Sequence, residues 1–264
     1  MQASSTLFLF CLVLGTAHAG YADEPVTARA APEKVDVAAD INKPRPDARK
    51  VSFETTTSTW SSVDVSPDGR TLVFDLLGDI YTLPIAGGEA KPVSTGPAFD
   101  SHPRYSPDGR TIAFTSDRGG IDNIWLMDAD GSNPRPVTAE KDAYVSGAAW
   151  TPEGNYLVAR KEDAKRAGIE PDELWIYHRE GGGGIKLTSS DDFAYTGGAV
   201  VSRDGRYVYF SARARKFNYV PDLTDGLWKI LRFDRSNSRV SKIALRLCGS
   251  IPTVGSSRIS RSGL

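Results

Sequence analysis

"SPDGR" spans Ser66–Arg70 and returns letter for letter at Ser106–Arg110, 40 positions further on. Its residue types are those of a tight turn. Pro67 presets φ near the value a second turn position needs, Asp68 can bond its own nearby backbone, and Gly69 reaches positive φ with no Cβ to clash. Ser66 suits the first position, where its hydroxyl can accept a backbone N–H. The flanks, "SSVDV" before and "TLVFD" after, are β-rich. Together they predict a hairpin closed at a left-handed glycine.

Weaker copies follow: "TPEGN" at Thr151–Asn155 and "SRDGR" at Ser202–Arg206, so that successive copies start 40, 45 and 51 positions apart. Each precedes a short apolar run ("TLVFD", "TIAFTS", "NYLVAR", "RYVYFS"). A second, aromatic strand comes next ("DIYTLPI", "NIWLMDA", "ELWIYHR", "GLWKILRF"), and then "KPVST", "RPVTA", "IKLTS" and "RVSKI". A four-stranded unit repeating every ~40–50 residues is the signature of a β-propeller. One such blade cannot bury both faces alone, but stacked blades bury each other's, which is why runs such as Leu72-Val73-Phe74 are apolar without alternation. An ordinary antiparallel sandwich would need four matching turns by coincidence. The expected fold is therefore all-β, a propeller of four-stranded blades with four recognisable blades in an incomplete ring. The blades run over 58–97, 98–142, 143–190 and 191–243, within a propeller region of 51–243.

The 264 residues suffice for one large β domain, and 25% charged with 40% hydrophobic residues is ordinary for a globular protein. A formal net charge of −1 gives no electrostatic case for nucleic acid or an anionic membrane. The balance is uneven: Arg235 to Leu264 holds six Lys/Arg and no acid, which leaves −7 on the remainder.

"MQASSTLFLFCLVLGTAHAG" opens the chain. Leu7–Leu14 is apolar but shorter than the ~20 residues of a membrane span, and Ala17-His18-Ala19 has the A-x-A cleavage pattern. Residues 1–19 read as a signal peptide cut after Ala19, although no Lys or Arg precedes the apolar run. The mature chain would be periplasmic or secreted, with no membrane span. Cleavage removes Cys11 and leaves Cys248 alone, so the mature chain forms no internal disulfide. Residues 20–50, rich in Pro, Ala and charge and lacking an aromatic after Tyr21, read as a disordered linker. "VSFETTTSTW" (Val51–Trp60) is the first β-rich segment, of the kind that completes a last blade and closes a ring. "KEDAKRAGIEPD" (Lys161–Asp172) and "ARARKFNYVPDLTDG" (Ala212–Gly226) stand between the second and third strands of their blades. They read as long loops on one face of the disc, the expected binding face.

The repeats "SPDGRTLVFDLLGDIYTLPIAGGEAKPVSTGP" and "SPDGRTIAFTSDRGGIDNIWLMDADGSNPRPVT" resemble the WD40-like repeats of TolB-type propellers. "DVSPDGRTLVFDLLGDIYTLPI" and "FDSHPRYSPDGRTIAFTSDRGGIDNIW" are more similar still to the N-terminal region of secreted bacterial amidohydrolases, which carry such a propeller ahead of a metal-dependent barrel. The resemblance covers about 51–240 and specifies fold far better than function. It implies a protein-, peptide- or substrate-binding face, with a C-terminal hydrolase domain missing from this chain. The alternatives are a stand-alone periplasmic protein binding envelope proteins, as in a Tol–Pal system, or the propeller of an exported serine peptidase.

No catalytic, cofactor-binding or metal-ligating residue is assigned. A metal-dependent amidohydrolase needs clustered ligands opening with His-x-His. His18 leaves with the signal, and His102 and His178 stand far apart, so both read as packed or surface imidazoles. No G-x-S-x-G elbow is present. "EGGGGIKLTS" has Ile185 where a phosphate loop requires Gly before its Lys, and reads as a hairpin turn. "SDRGGIDN" and "DADGSN" lack the ligand pattern of a calcium loop and also read as turns. Trp125, Trp175 and Trp228 are placed at one blade position, as core packing.

The last stretch, "ALRLCGSIPTVGSSRISRSGL" (244–264), does not continue the repeat. Written in GC-rich codons and read two bases on, "ALRLCGSIPTVG" becomes a segment containing D-P-D-G-R about 50 positions after Ser202. Two readings stand: a natural basic tail, or a frameshift near Lys242–Ala244 that replaced a fifth repeat.

Overall fold

The computed structural model describes residues 42–43, 48–49, 53–165, 172–189, 195–213 and 228–243. The expected signal peptide, almost all of the linker and the basic tail lie outside these. The described residues hold no helix long and apolar enough to cross a membrane.

Each unit of the repeat is one antiparallel sheet. Blade one is β1 (Val63–Val65), β2 (Thr71–Leu76), β3 (Asp79–Pro84) and β4 (Lys91–Ser94). Blade two is β5 (Asp100–Tyr105), β6 (Thr111–Ser116), β7 (Asn123–Asp128) and β8 (Arg135–Pro136). Blade three is β9 (Ala143–Trp150), β10 (Tyr156–Asp163), β11 (Glu173–His178) and β12 (Ile185–Lys186). Blade four has β15 (Tyr207–Arg213), β16 (Trp228–Asp234) and β17 (Arg239–Lys242). Its first strand is split into β13 (Tyr195–Thr196) and β14 (Val200–Val201), both paired with β15. The first strands line up side by side, β1 beside β5, β5 beside β9 and β9 beside β14, and so mark the inner rim.

The turn has the expected geometry in all four copies. Gly69, Gly109, Gly154 and Gly205 take φ of 70°, 71°, 72° and 71°. In the first copy Ser66 Oγ donates to Asp68 Oδ1 at 2.6 Å and accepts from Thr71 N–H at 2.9 Å. Asp68 Oδ1 also accepts from Arg70 N–H at 3.1 Å. Ser106–Asp108 and Ser202–Asp204 repeat the pattern. These bonds favour the charged carboxylates, so Asp68, Asp108 and Asp204 are held below the usual range, the serine hydroxyl being the main cause.

The proline of the pentapeptide acts between blades. A Cβ placed on Gly109 would lie 3.2 Å from Cδ of Pro67. Gly154 stands likewise to Pro107 at 3.6 Å and Gly205 to Pro152 at 3.7 Å. Each of the first three turns therefore seats its proline on the glycine of the next.

Four blades bury three cores. Val73 and Ile80 meet Ile112 and Phe114 between blades one and two. Ala113, Ile124 and Leu126 meet Leu157, Ala159 and Tyr177 between blades two and three. Val158, Leu174 and Ile176 meet Val208, Phe210, Leu231 and Phe233 between blades three and four. A closed ring of four would bury a fourth, so the described blades form an open arc. On its free face blade one presents Val63, paired with Phe74, and Val65, paired with Leu72, at 58% and 46% exposure.

Three details differ from the sequence reading. Residues 53–60 of "VSFETTTSTW" form no strand and are exposed, so they close no ring here. Lys161–Asp163 continue β10, so the blade-three loop is shorter than its charge run implied. Trp228 is not the equivalent of Trp125 and Trp175. Those two pair with Phe114 and Ala159, eight residues after the start of their turns, as Tyr81 does with Phe74. Trp228 pairs with Arg213, eleven after Ser202, and Leu231 takes the aromatic position.

Candidate functional site

Strand direction places the turns at one end of every blade. At the other end lie the loops between second and third strands and the entries to the inner strands. There the inner strands are interrupted. The register slips between Ser101 and Arg104 in β5, and β10 meets a matching irregularity in β9 between Ser146 and Ala149. The slipped residues His102 and Gly147 take φ of 54° and 66°. For a histidine that is an uncommon conformation and calls for compensation. The compensation comes from the preceding blade. Asp75 of β2 accepts from Ser62 N–H at 2.7 Å through Oδ1 and from His102 N–H at 2.6 Å through Oδ2. The register-equivalent Thr115 accepts from Gly147 N–H at 3.1 Å. A buried polar side chain thus pins the next blade's bulge, satisfying donors that the broken ladder leaves free.

Charged side chains gather at this end. Arg160 donates to Asp172 Oδ2 at 3.4 Å and to Ser146 Oγ at 3.3 Å. Asp172 is buried, and the backbone of Thr196 also acts on its carboxylate. Its carboxyl is pushed up to about 6 by burial, the Arg160 guanidinium opposing and the Glu162 carboxylate adding to the rise. Asp122 is raised by burial and by Asp117, with His102 and Arg160 opposing. His102 keeps accessible surface but is crowded by neighbouring atoms, and this desolvation lowers its pKa. Asp75 works against the fall, Arg104 and Arg160 with it. At neutral pH the end therefore presents a neutral imidazole, a guanidinium and carboxylates from three blades, suited to holding a polar or charged ligand.

A nucleophilic arrangement is incomplete. Ser101 Oγ lies 3.1 Å from His102 Nδ1, but Asp75 engages the backbone of His102, and among the described residues no carboxylate is hydrogen-bonded to the imidazole. His178 is at the opposite end, exposed and edge-on to Tyr156. Trp125 and Trp175 are half-buried and carry the chain's own cations, Arg118 at 5.2 Å and Lys161 at 4.4 Å from the ring centroids. Among the described residues no three His, Cys, Asp or Glu side chains gather as a metal site. Sequence reasoning missed Asp122, Arg160 and Asp172. One signal was available: an Asp stands three residues before each of Trp125 and Trp175.

Four-stranded blades arranged by their inner strands around a charged, loop-bearing end define a propeller repeat protein. Residues 46–214 match the TolB beta propeller domain, and the chain belongs to that family. A 91-residue stretch is 31% identical to tricorn protease homolog 1 of Streptomyces coelicolor, covering 34% of this chain and 8% of that protein. The putative TolB of Agrobacterium tumefaciens superposes with a TM-score of 0.57 at 24% identity over 70% of this chain and 62% of its own. The puromycin-hydrolyzing peptidase of Mycobacterium tuberculosis superposes with a TM-score of 0.52 at 15% identity over 75% and 31%. The chain spans less than two thirds of the length of each of these relatives.

Proposed function

We propose that this chain is an exported TolB-like propeller that serves as a binding module, taking a protein or peptide segment at its loop-bearing end. The observation that carries the reading is the convergence of His102 and Asp122 of blade two with Arg160 and Asp172 of blade three at that end. Export follows from the A-x-A pattern ending at Ala19. The finer reading is that the propeller gates or binds substrate for an amidohydrolase-type domain, supported by the resemblance of Asp64–Ile85 and Phe99–Trp125. A second reading, the propeller of a peptidase, is favoured by the likeness to tricorn protease homolog 1. The third is a stand-alone envelope-binding protein.

Photo-crosslinking groups placed at Asp117 or Lys141, at the loop-bearing end, and at Glu89, at the turn end, test the module reading in intact cells. A discrete adduct from the first two, lost in Arg160→Ala, is expected. Adducts that appear equally from Glu89, or persist in Arg160→Ala, would refute it. Sequencing beyond codon 264 in all frames separates the finer readings: His-x-His supports the amidohydrolase, G-x-S-x-G the peptidase, and neither supports the stand-alone protein.

A further inference from the structure

The register exposes an omission at the turn end. Ile85, Ala129, Arg179 and Arg235 are equivalent: each follows its blade's third strand, and its N–H donates to the last carbonyl of the turn (Arg70, Arg110, Asn155, Arg206) at 2.8–2.9 Å. In blades three and four this residue is an arginine that reaches back between blades. Arg179 donates to Gly154 O of its own turn at 3.2 Å and to Thr111 Oγ1 of blade two at 3.3 Å, and lies 5.3 Å from the centroid of the Trp150 ring. Arg235 donates to Gly205 O at 2.6 Å and pairs with Glu153 of blade three at 3.6 Å. Blade two has Ala129 there. Two neighbours shrink as well. Thr82 stands where Leu126 and Ile176 stand in the next blades, and Tyr105 where Trp150 stands.

What results is a cavity of about 560 Å³ between blades one and two, whose lining includes Asp68, Thr71, Thr82, Tyr105, Asp108 and Ala129 along with Gly109. Every group that receives a guanidinium in the other junctions has its counterpart here. Gly109 replaces Gly154, Thr71 replaces Thr111, Tyr105 offers the ring that Trp150 offers, and Asp68 stands where Glu153 meets Arg235. Asp108, on the turn of Ala129's own blade, adds a second carboxylate. Both carboxylates give Oδ1 to the turn, and neither Oδ2 makes a hydrogen bond among the described residues. A planar cation with forked donors suits this set of carbonyl, hydroxyl, ring and carboxylates better than a point-charge ammonium.

We propose that this cavity is a receptor site for the guanidinium of an arginine side chain presented by a partner protein. The site is at the opposite end from the charged loops and does not depend on the binding-module reading above.

The test uses the full chain and N-acetyl-arginine methylamide, with the citrulline and lysine analogues and free L-arginine as controls, followed by calorimetry and by Thr71 and Ala129 methyl shifts. The arginine amide should bind saturably, with the citrulline analogue ~10-fold or more weaker because charge-assisted bonds to carboxylate are lost. Ala129→Arg, which supplies the guanidinium from within, and Thr82→Leu, which fills the floor as Leu126 does, should each abolish binding. Two substitutions guard against one failing to fold. Tighter binding of free L-arginine than of the amide would overturn the protein partner. Absence of saturable binding, or binding unchanged in Ala129→Arg and Thr82→Leu, would overturn the site.

Discussion

Strands β2 and β6 are spelled almost alike, "TLVFDL" and "TIAFTS", and follow identical pentapeptides. All six residues of β6 are buried, but only Val73 and Asp75 of β2 are. The difference lies in what stands on each side. β6 has a blade on both faces, so Ile112 and Phe114 meet blade one while Ala113 meets blade three. β2 has a blade on one face, and Leu72 and Phe74 look outward with Val63 and Val65. Blade four also has an outward face, but of another kind: Tyr207, Tyr209, Ile230 and Arg232, with the Arg206 and Arg232 guanidinium groups 4.9 and 4.6 Å from the centroid of the Tyr207 ring. Blade one's free face is written like a covered one, while blade four's carries cations over its aromatic. Burial in this fold is a property of the junction more than of the strand.

The sharpest test pairs register-equivalent residues. Phe114→Ala should lower unfolding stability by roughly 3–5 kcal/mol, as for a buried aromatic. Phe74→Ala, which loses mainly the stack on Tyr81 at 5.7 Å, should cost about 1 kcal/mol or less by urea titration. Equal losses would mean that blade one's face is covered in solution. Asp75→Ala should follow at roughly 1–3 kcal/mol, because the N–H groups of Ser62 and His102 lose their acceptor. Smaller is the contrast between Gly69→Ala and Gly109→Ala. Both glycines have the same φ, so each change carries about 1–2 kcal/mol of left-handed strain. Only Gly109 has a proline 3.2 Å from the added Cβ, so its variant should have the lower urea midpoint.

The most specific test is of pH dependence. Asp172 has its folded pKa raised from 3.8 to about 6. Between those values the folded chain holds a proton that the unfolded chain releases, so this residue's contribution falls as pH rises from about 4 to about 6 and is level above. Asp172→Asn should flatten the slope of the urea midpoint over that window. An unchanged slope would place the titration elsewhere.

The turns were legible because their chemistry is local: Ser, Asp and Gly within five residues make every bond that the hairpin needs. The four-blade count was legible because those turns recur. Register was less so. Trp228 looked like Trp125 because each opens an aromatic run in its repeat, yet pairing with Arg213 sets it three places away. The charged end was hidden further, since Asp75, His102, Arg160 and Asp172 belong to three different blades and meet only through blade stacking. The cavity needed register as well, because an alanine among arginines signifies nothing until the four positions are aligned.

The pentapeptide repeats for a reason beyond its own hairpin. A peg such as Pro67 of one copy meets a socket such as Gly109 of the next, and the SPDGR copies each carry both parts. A blade duplicated in tandem therefore arrives with both halves of its junction and fits its neighbours without a compensating change. Blade four breaks the series, with Arg203 where the peg should be. Its turn can receive a neighbour's proline but has none to pass on.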